Sequence, residues 1–259
     1  MASVTAVAML ALLSQAAPES LAPSGKWTVA HEPGECLLSR PFGPGERSIT
    51  LGVLRLPASP GGTLLLVEPG GTASTRRGSG KIVVQPSGDR FNADWTVAPR
   101  TGRTGGLTRI EPDTAFWDAL PQATGLTFEG FGGASIELPT GKMTAALSAY
   151  GACNDDMLRR WGADPAAMIK PGSWITKWLS YNDYPDAAIR RRAEGRAVVL
   201  IAVDADGRPT GCKTVKSSGD ADLDKASCAI ASGGARVPRS ADDRPIDRWF
   251  VLPVTWSLP

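Results

Sequence analysis

Tyr184–Gly219 reads YPDAAIRRRAEGRAVVLIAVDADGRPTGCKTVKSSG, and local chemistry resolves it into helix, strand, turn and strand. Pro185 suits the first turn of a helix, where its missing N–H costs nothing. A helix over Asp186–Glu194 then stops at Gly195, a residue suited to the left-handed C-cap. Arg196–Val203 is a strand whose Ala197, Val198, Val199, Leu200, Ile201 and Val203 make it apolar on both faces near its middle. Asp204-Ala205-Asp206-Gly207 is a turn in which Gly207 is free to take positive φ. Arg208–Ser217 returns as a second strand. Arg190-Arg191-Arg192 is a basic run, best explained as a solvated helix face.

Tyr184-Pro185, Ala188, Gly195, the apolar strand, Asp206-Gly207, Ser217-Ser218-Gly219 and Leu223-Asp224 follow in the order and spacing of the C-terminal domain of TonB-like proteins, which this region resembles. The ending, Phe250-Val251-Leu252-Pro253-Val254-Thr255-Trp256, is similar to that family's last strand. The resemblance covers roughly Trp174–Pro259. It implies a small α+β unit, two helices on a three-stranded antiparallel sheet. Asp222 is expected to cap a helix from Leu223 to about Ala231, and Asp247–Leu258 to form the closing strand.

The resemblance also implies a function. TonB-like domains bind a short segment at the periplasmic face of outer-membrane receptors and transmit inner-membrane proton-motive energy to them. Carried to this chain, it places receptor-peptide contacts at Asn182, Tyr184 and Pro185, and on the last strand at Trp249, Phe250, Val251, Val254, Thr255 and Trp256. The implied partners are a TonB-dependent receptor and, if the chain is anchored, the ExbB–ExbD motor. The implied location is the periplasm of a Gram-negative bacterium. Physically, an open sheet edge offers unpaired N–H and C=O groups to which an extended peptide adds as one more strand. The same edge allows a homodimer. Packing alone also explains the aromatics of the last strand, and a rigid helix start explains Tyr184-Pro185. Where the family often shows Gln-Pro before the Tyr-Pro step, this chain has Tyr181 and Asn182; the family's Pro-rich spanning linker has no counterpart here, and the folded region Trp27–Trp161 fills its slot.

Ahead of that unit lie about two thirds of the 259 residues, enough for a second domain. Ala2–Leu13 is an apolar run followed by Ser14-Gln15-Ala16-Ala17, so residues 1–17 read as a cleaved export signal. The alternative is a short membrane anchor, although the run falls short of the ~20 residues that span a bilayer. Pro18–Lys26 reads as a polar connector. Residues 24–161 read as a β-rich domain with a C-terminal helix. Strands are expected at Trp27–Ala30, Glu35–Arg40, Ser48–Leu56, Thr63–Val67, Lys81–Gln85, Phe91–Val97, Leu126–Phe131 and Ala134–Leu138. They suggest an antiparallel sheet or sandwich. Asp113–Leu120 reads as a short helix capped by Asp113, and Lys142–Trp161 as a long one. Gly151 weakens that helix, which asks for a packing reason. Residues 162–173 read as the linker to 174–259, and Trp174–Tyr181 fits helix or strand.

Four cysteines suit an exported protein. The domain division pairs Cys212 with Cys228 and leaves Cys36 for Cys153; four buried free thiols are the alternative. No C-x-x-C supports a zinc or redox site. A net charge of +2, with basic and acidic residues interspersed, gives no nucleic-acid signal.

Catalysis needs a positioned acid, base, nucleophile or metal. His31 is the one histidine and reads as a loop surface residue. Gly78-Ser79-Gly80-Lys81 lacks the earlier glycine of a phosphate loop, and Ile82 stands where a magnesium-binding hydroxyl belongs. Asp204/Asp206 and Asp220/Asp222/Asp224 lack the frame of a calcium loop. Turn and cap roles explain them. The expectation is a non-enzymatic protein without metal or cofactor. It serves outer-membrane transport as transducer or binder, or acts as a soluble periplasmic adaptor that transmits no force.

Overall fold

The computed structural model describes residues 17–32, 34–69, 74–99, 105–133, 135–169, 183–233, 237 and 248–258. Residues 1–16 of the expected signal, Trp174–Tyr181 and Asn182 lie outside them. No helix among the described residues is long and apolar enough to cross a membrane.

Ten strands form one sheet: β1 (Glu19–Ser20), β2 (Thr28–Glu32), β3 (Glu35–Phe42), β4 (Ile49–Leu54), β5 (Thr63–Glu68), β6 (Arg76–Gln85), β7 (Asp89–Pro99), β8 (Gly106–Pro112), β9 (Gly125–Glu129) and β10 (Ile136–Leu138). Their order is β1-β10-β9-β6-β7-β8-β5-β4-β3-β2, antiparallel except where β1 runs parallel to β10. Pro18–Lys26 is therefore no mere connector. Glu19-Ser20 lies beside Ile136-Glu137 of β10, and three residues later Pro23 bridges Phe42 of β3. Three residues reach at most about 10 Å. In a flat sheet the seven strand steps from β10 to β3 would span about 34 Å. The sheet must therefore curl until its flanks meet. Arg40 fastens the closure, its Nη1 donating to Thr140 O (2.7 Å) and its Nε to Gly25 O (2.9 Å). Trp27 Nε1 donates to the same Thr140 carbonyl.

Inside the curl lies one core, including Phe42, Leu51, Ile82, Ile110, Phe116, Leu126, Phe128 and Leu138, all at most 1% exposed. Helix α1 (Phe116–Ala119) and helix α2 (Thr144–Trp161) pack against it. The N-cap of α1 is Ala115 rather than the expected Asp113, whose Oδ1 accepts from Phe116 N–H in the turn leading into the helix. Gly162 takes φ +93° and ends α2. The Cys36–Cys153 disulfide ties β3 to α2. A Cβ at Gly151 would meet nothing within 4 Å, so no packing requires that glycine. Strand β8 fell outside the sequence reading, and β6 starts at Arg76 rather than Lys81, so Gly78–Lys81 lie within a strand.

The C-terminal unit has a three-stranded antiparallel sheet, β12-β11-β13, from β11 (Gly195–Val203), β12 (Pro209–Lys216) and β13 (Arg248–Trp256). Helices α3 (Asp186–Arg190) and α4 (Ala221–Gly233) accompany it. On their side Ala188, Leu223 and Ala231 pack on Val199, Ile201, Val203, Phe250, Leu252, Val254 and Trp256. The Cys212–Cys228 disulfide joins β12 to α4.

Two expected boundaries are corrected. Helix α3 stops at Arg190, and Arg192 (φ +52°), not Gly195, takes the left-handed conformation. Gly195 opens β11, where a Cβ would stand 2.2 Å from Ser218 O, so close approach is what requires glycine. The cap of α4 is Asp220, not Asp222: Asp220 Oδ1 accepts from Asp222 N–H (3.0 Å) and Leu223 N–H (3.2 Å).

The other face of the small sheet is covered by the first domain. Val198, Leu200 and Val251 form a buried cluster with Leu158 and Ala163, joined by Leu56, Trp161, Met168, Val215 and Trp249. Lys216 pairs with Glu35 across the same contact (2.8 Å).

Candidate functional site

The outer side of β13 is the candidate site, because β13 ends the sheet order among the described residues. A strand alternates its backbone groups between two neighbours, so parity decides what an incoming peptide meets. Ile169 N–H donates to Trp249 C=O (2.7 Å), and Met168 bridges Trp249 in parallel. Trp249 therefore turns its backbone away from β11, and so do Val251, Pro253 and Thr255. Pro253 agrees with this parity: having no N–H, it fits where β11 requests none.

The edge therefore presents N–H and C=O at Val251 and Thr255, and C=O alone at Pro253. None of these groups has a backbone partner among the described residues. Pro253 blunts the middle of the edge and Ile169 occupies its start, two devices that limit indiscriminate strand pairing. Sequence reading passed over both. A proline in the last strand was the available signal for the first; the second depends on a long-range contact and had none.

The expected contact residues divide. Phe250, Val254 and Trp256 turn their backbones to β11 and bury their side chains under the helices, at 0%, 1% and 6% exposure. Trp256 Nε1 donates to Ser227 Oγ, which in turn donates to Leu223 O, so this indole is committed to the core. Trp249 and Val251 face the first domain, and Thr255 is exposed.

Tyr184 stands apart from the edge. Its hydroxyl donates to Ala193 O and its ring meets Trp256 edge-on with centroids 5.0 Å apart. Burial, then the charges of Glu194 and Asp220, raise its phenol above the ordinary value. Pro185 holds the N-cap position of α3 with extended backbone (φ −66°, ψ 130°). Tyr184 thus packs behind β13, while Pro185 sets the start of α3.

Around α4, Asp220 is held below the ordinary carboxylate range chiefly by the Arg191 guanidinium, which also pairs with Asp222. Burial pushes Asp224 up, but hydrogen bonds from Ser217 Oγ, Ser218 N–H and Ser218 Oγ outweigh it and hold the carboxyl low. These acids are cap and loop anchors.

His31 lies in strand β2 opposite Cys36, a correction to its expected loop placement, with its ring nitrogens 3.6 Å from Cys153 Sγ. His31, Cys36 and Cys153 bring ligand-type atoms within 4.8 Å of one another, but both sulfurs are joined in the disulfide, which removes them as thiolate ligands.

Residues 180–258 match the family model described as Gram-negative bacterial TonB protein C-terminal. Protein tonB2 of Pseudomonas aeruginosa is 33% identical over 76 residues, covering 29% of this chain and 28% of that protein. Protein TonB of Haemophilus influenzae is 42% identical over 85 residues, covering 32% of this chain and 30% of that protein. The chain thus spans under a third of the length of these curated relatives. No solved structure matches. The C-terminal segment is TonB-like.

Proposed function

We propose that this protein is an envelope component of TonB-dependent transport, whose C-terminal domain engages a peptide segment of an outer-membrane receptor by strand addition to β13. The supporting observation is the edge itself: backbone groups at Val251, Pro253 and Thr255 face away from β11 and meet no backbone partner among the described residues. An extended peptide gains its affinity there from main-chain hydrogen bonds and needs little from the buried side chains. Tyr184 acts by bracing the strand through Trp256, Pro185 by fixing the start of α3, and Asn182 precedes both in sequence. We assign the protein no catalytic step.

Within this reading we favour a periplasmic binder over a force transducer. The first domain packs on the small sheet through Leu158, Ala163, Val198, Leu200 and Val251 and through the Lys216–Glu35 pair. A folded body docked there contrasts with an extended tether, and adaptor work without force transmission fits it.

Thr255→Pro tests the edge. Pro253 demonstrates that an outward-facing proline is compatible with β13, so the variant should fold while losing one outward N–H. Titration with the receptor's periplasm-facing peptide should show about tenfold weaker binding, from one lost hydrogen bond and the adjoining steric block. Unchanged affinity would remove this edge as the site.

A further inference from the structure

Beside the end of β13 lies a cleft of about 530 Å³ between the two domains. From the first domain it receives Arg55, Arg109 and Glu111, and from the small sheet Arg196, Lys216 and Thr255. Two of the cations are already engaged. Lys216 pairs with Glu35, and Arg55 donates to Ser59 O (2.9 Å) while its guanidinium lies 5.0 Å from the Trp117 ring centroid. Tyr150 holds the Arg55 backbone there, its hydroxyl accepting from Arg55 N–H and donating to Arg55 O. The side chains of Arg109 and Arg196 are exposed and make no ion pair or hydrogen bond among the described residues. Glu111 is the one carboxylate left on the wall, so the cleft keeps an excess of positive charge.

The cleft and the β13 edge meet at one residue. Thr255 lines the cleft with its side chain, while by parity its backbone N–H and C=O face outward. Arg196 is its direct cross-strand partner on β11. A peptide adding to β13 would place one residue opposite Thr255, with its side chain on the same face. That residue stands two strand spacings, about 10 Å, from Arg196. An extended arginine and an extended glutamate together bridge about that distance, and the small threonine between them leaves the path open.

We infer that the partner peptide is acidic at the position opposite Thr255, with its carboxylate received by Arg196 and Arg109 in the interdomain cleft. The inference rests on the strand-addition reading and adds to it what the backbone edge cannot supply, a sequence preference. It also gives the first domain a part in recognition, since Arg109 comes from β8. A carboxylate that bonds both arginines binds across the domain boundary.

The test uses the full chain and a displayed library of short random peptides. Peptides selected on the wild type are resynthesised with Glu, Gln or Lys at each position and titrated against the wild type, Arg196→Glu and Thr255→Pro. The expected result is one position where Glu binds about fivefold more tightly than Gln at low salt, an advantage that shrinks as salt rises. Arg196→Glu should invert that preference to Lys, and Thr255→Pro should weaken all peptides alike. Peptides that lose affinity in Thr255→Pro but show no charge preference would overturn the acidic-position inference and leave strand addition standing. Peptides indifferent to Thr255→Pro, or no selected peptides at all, would overturn both.

Discussion

The two sheets treat their edges in opposite ways. The ten-stranded sheet curls until the N-terminal segment stitches β10 to β3, and Arg40 and Trp27 fasten the join on Thr140. Among the described residues the three-stranded sheet does not close, and β12 and β13 are its edges. One domain joins its flanks through the Glu19–Ser24 segment; the other has outward backbone groups on β13 with no partner among the described residues. The small sheet's faces are covered by helices on one side and by the first domain on the other, so the proposed partner would meet main chain and the cleft at Thr255.

Loss of the disulfides should separate the two domains most strongly. The Cys36–Cys153 bridge closes a sequence separation of 117 residues and Cys212–Cys228 one of 16. In the chain-entropy model these are worth about 5 and about 3 kcal/mol. Denaturant unfolding of Cys36→Ser/Cys153→Ser should therefore show a larger loss than Cys212→Ser/Cys228→Ser. Equal losses would mean the first domain is held shut by its sheet alone.

Closure of the large sheet should respond next. Arg40→Ala removes charge-assisted bonds to two carbonyls, and we expect a loss of about 3 kcal/mol in chemical denaturation. A loss within experimental error would place the closure elsewhere.

Acid should touch the small domain more gently. Asp220 and Asp224 have depressed folded pKa values, so their contribution is present above the unfolded carboxylate value and is lost as pH falls through the folded one. Amide exchange at the start of α4 should rise below about pH 4, and Asp224→Asn should flatten that response. Unchanged exchange down to low pH would show that the cap does not depend on these charges.

Legibility in the sequence followed the range of the interactions. The helix–strand–turn–strand order of the small domain rests on neighbours such as Pro185, Gly207 and the β11 run, and all were readable. The errors there are local competitions. Arg192 took the left-handed conformation before Gly195 was reached, because Gly195 was needed against Ser218 O. Asp220 outcompeted Asp222 as cap by starting the helix earlier. Closure of the large sheet was illegible, since it depends on Glu19 meeting Ile136 and Pro23 meeting Phe42. The strand apolar on both faces was a signal only half used. Val198 and Leu200 announced a second covering surface, and the first domain is that cover. At the site, the outward parity of Thr255 emerged only from register, through Ile169 and Pro253.

The most direct measurement is residue-resolved hydrogen exchange of β13 with and without the receptor peptide. Phe250, Leu252, Val254 and Trp256 turn their backbones to β11 and should be protected in both states. Val251 and Thr255 should exchange readily alone and become protected only when the peptide is bound. Protection that appears elsewhere while these two amides stay unchanged would contradict strand addition at this edge.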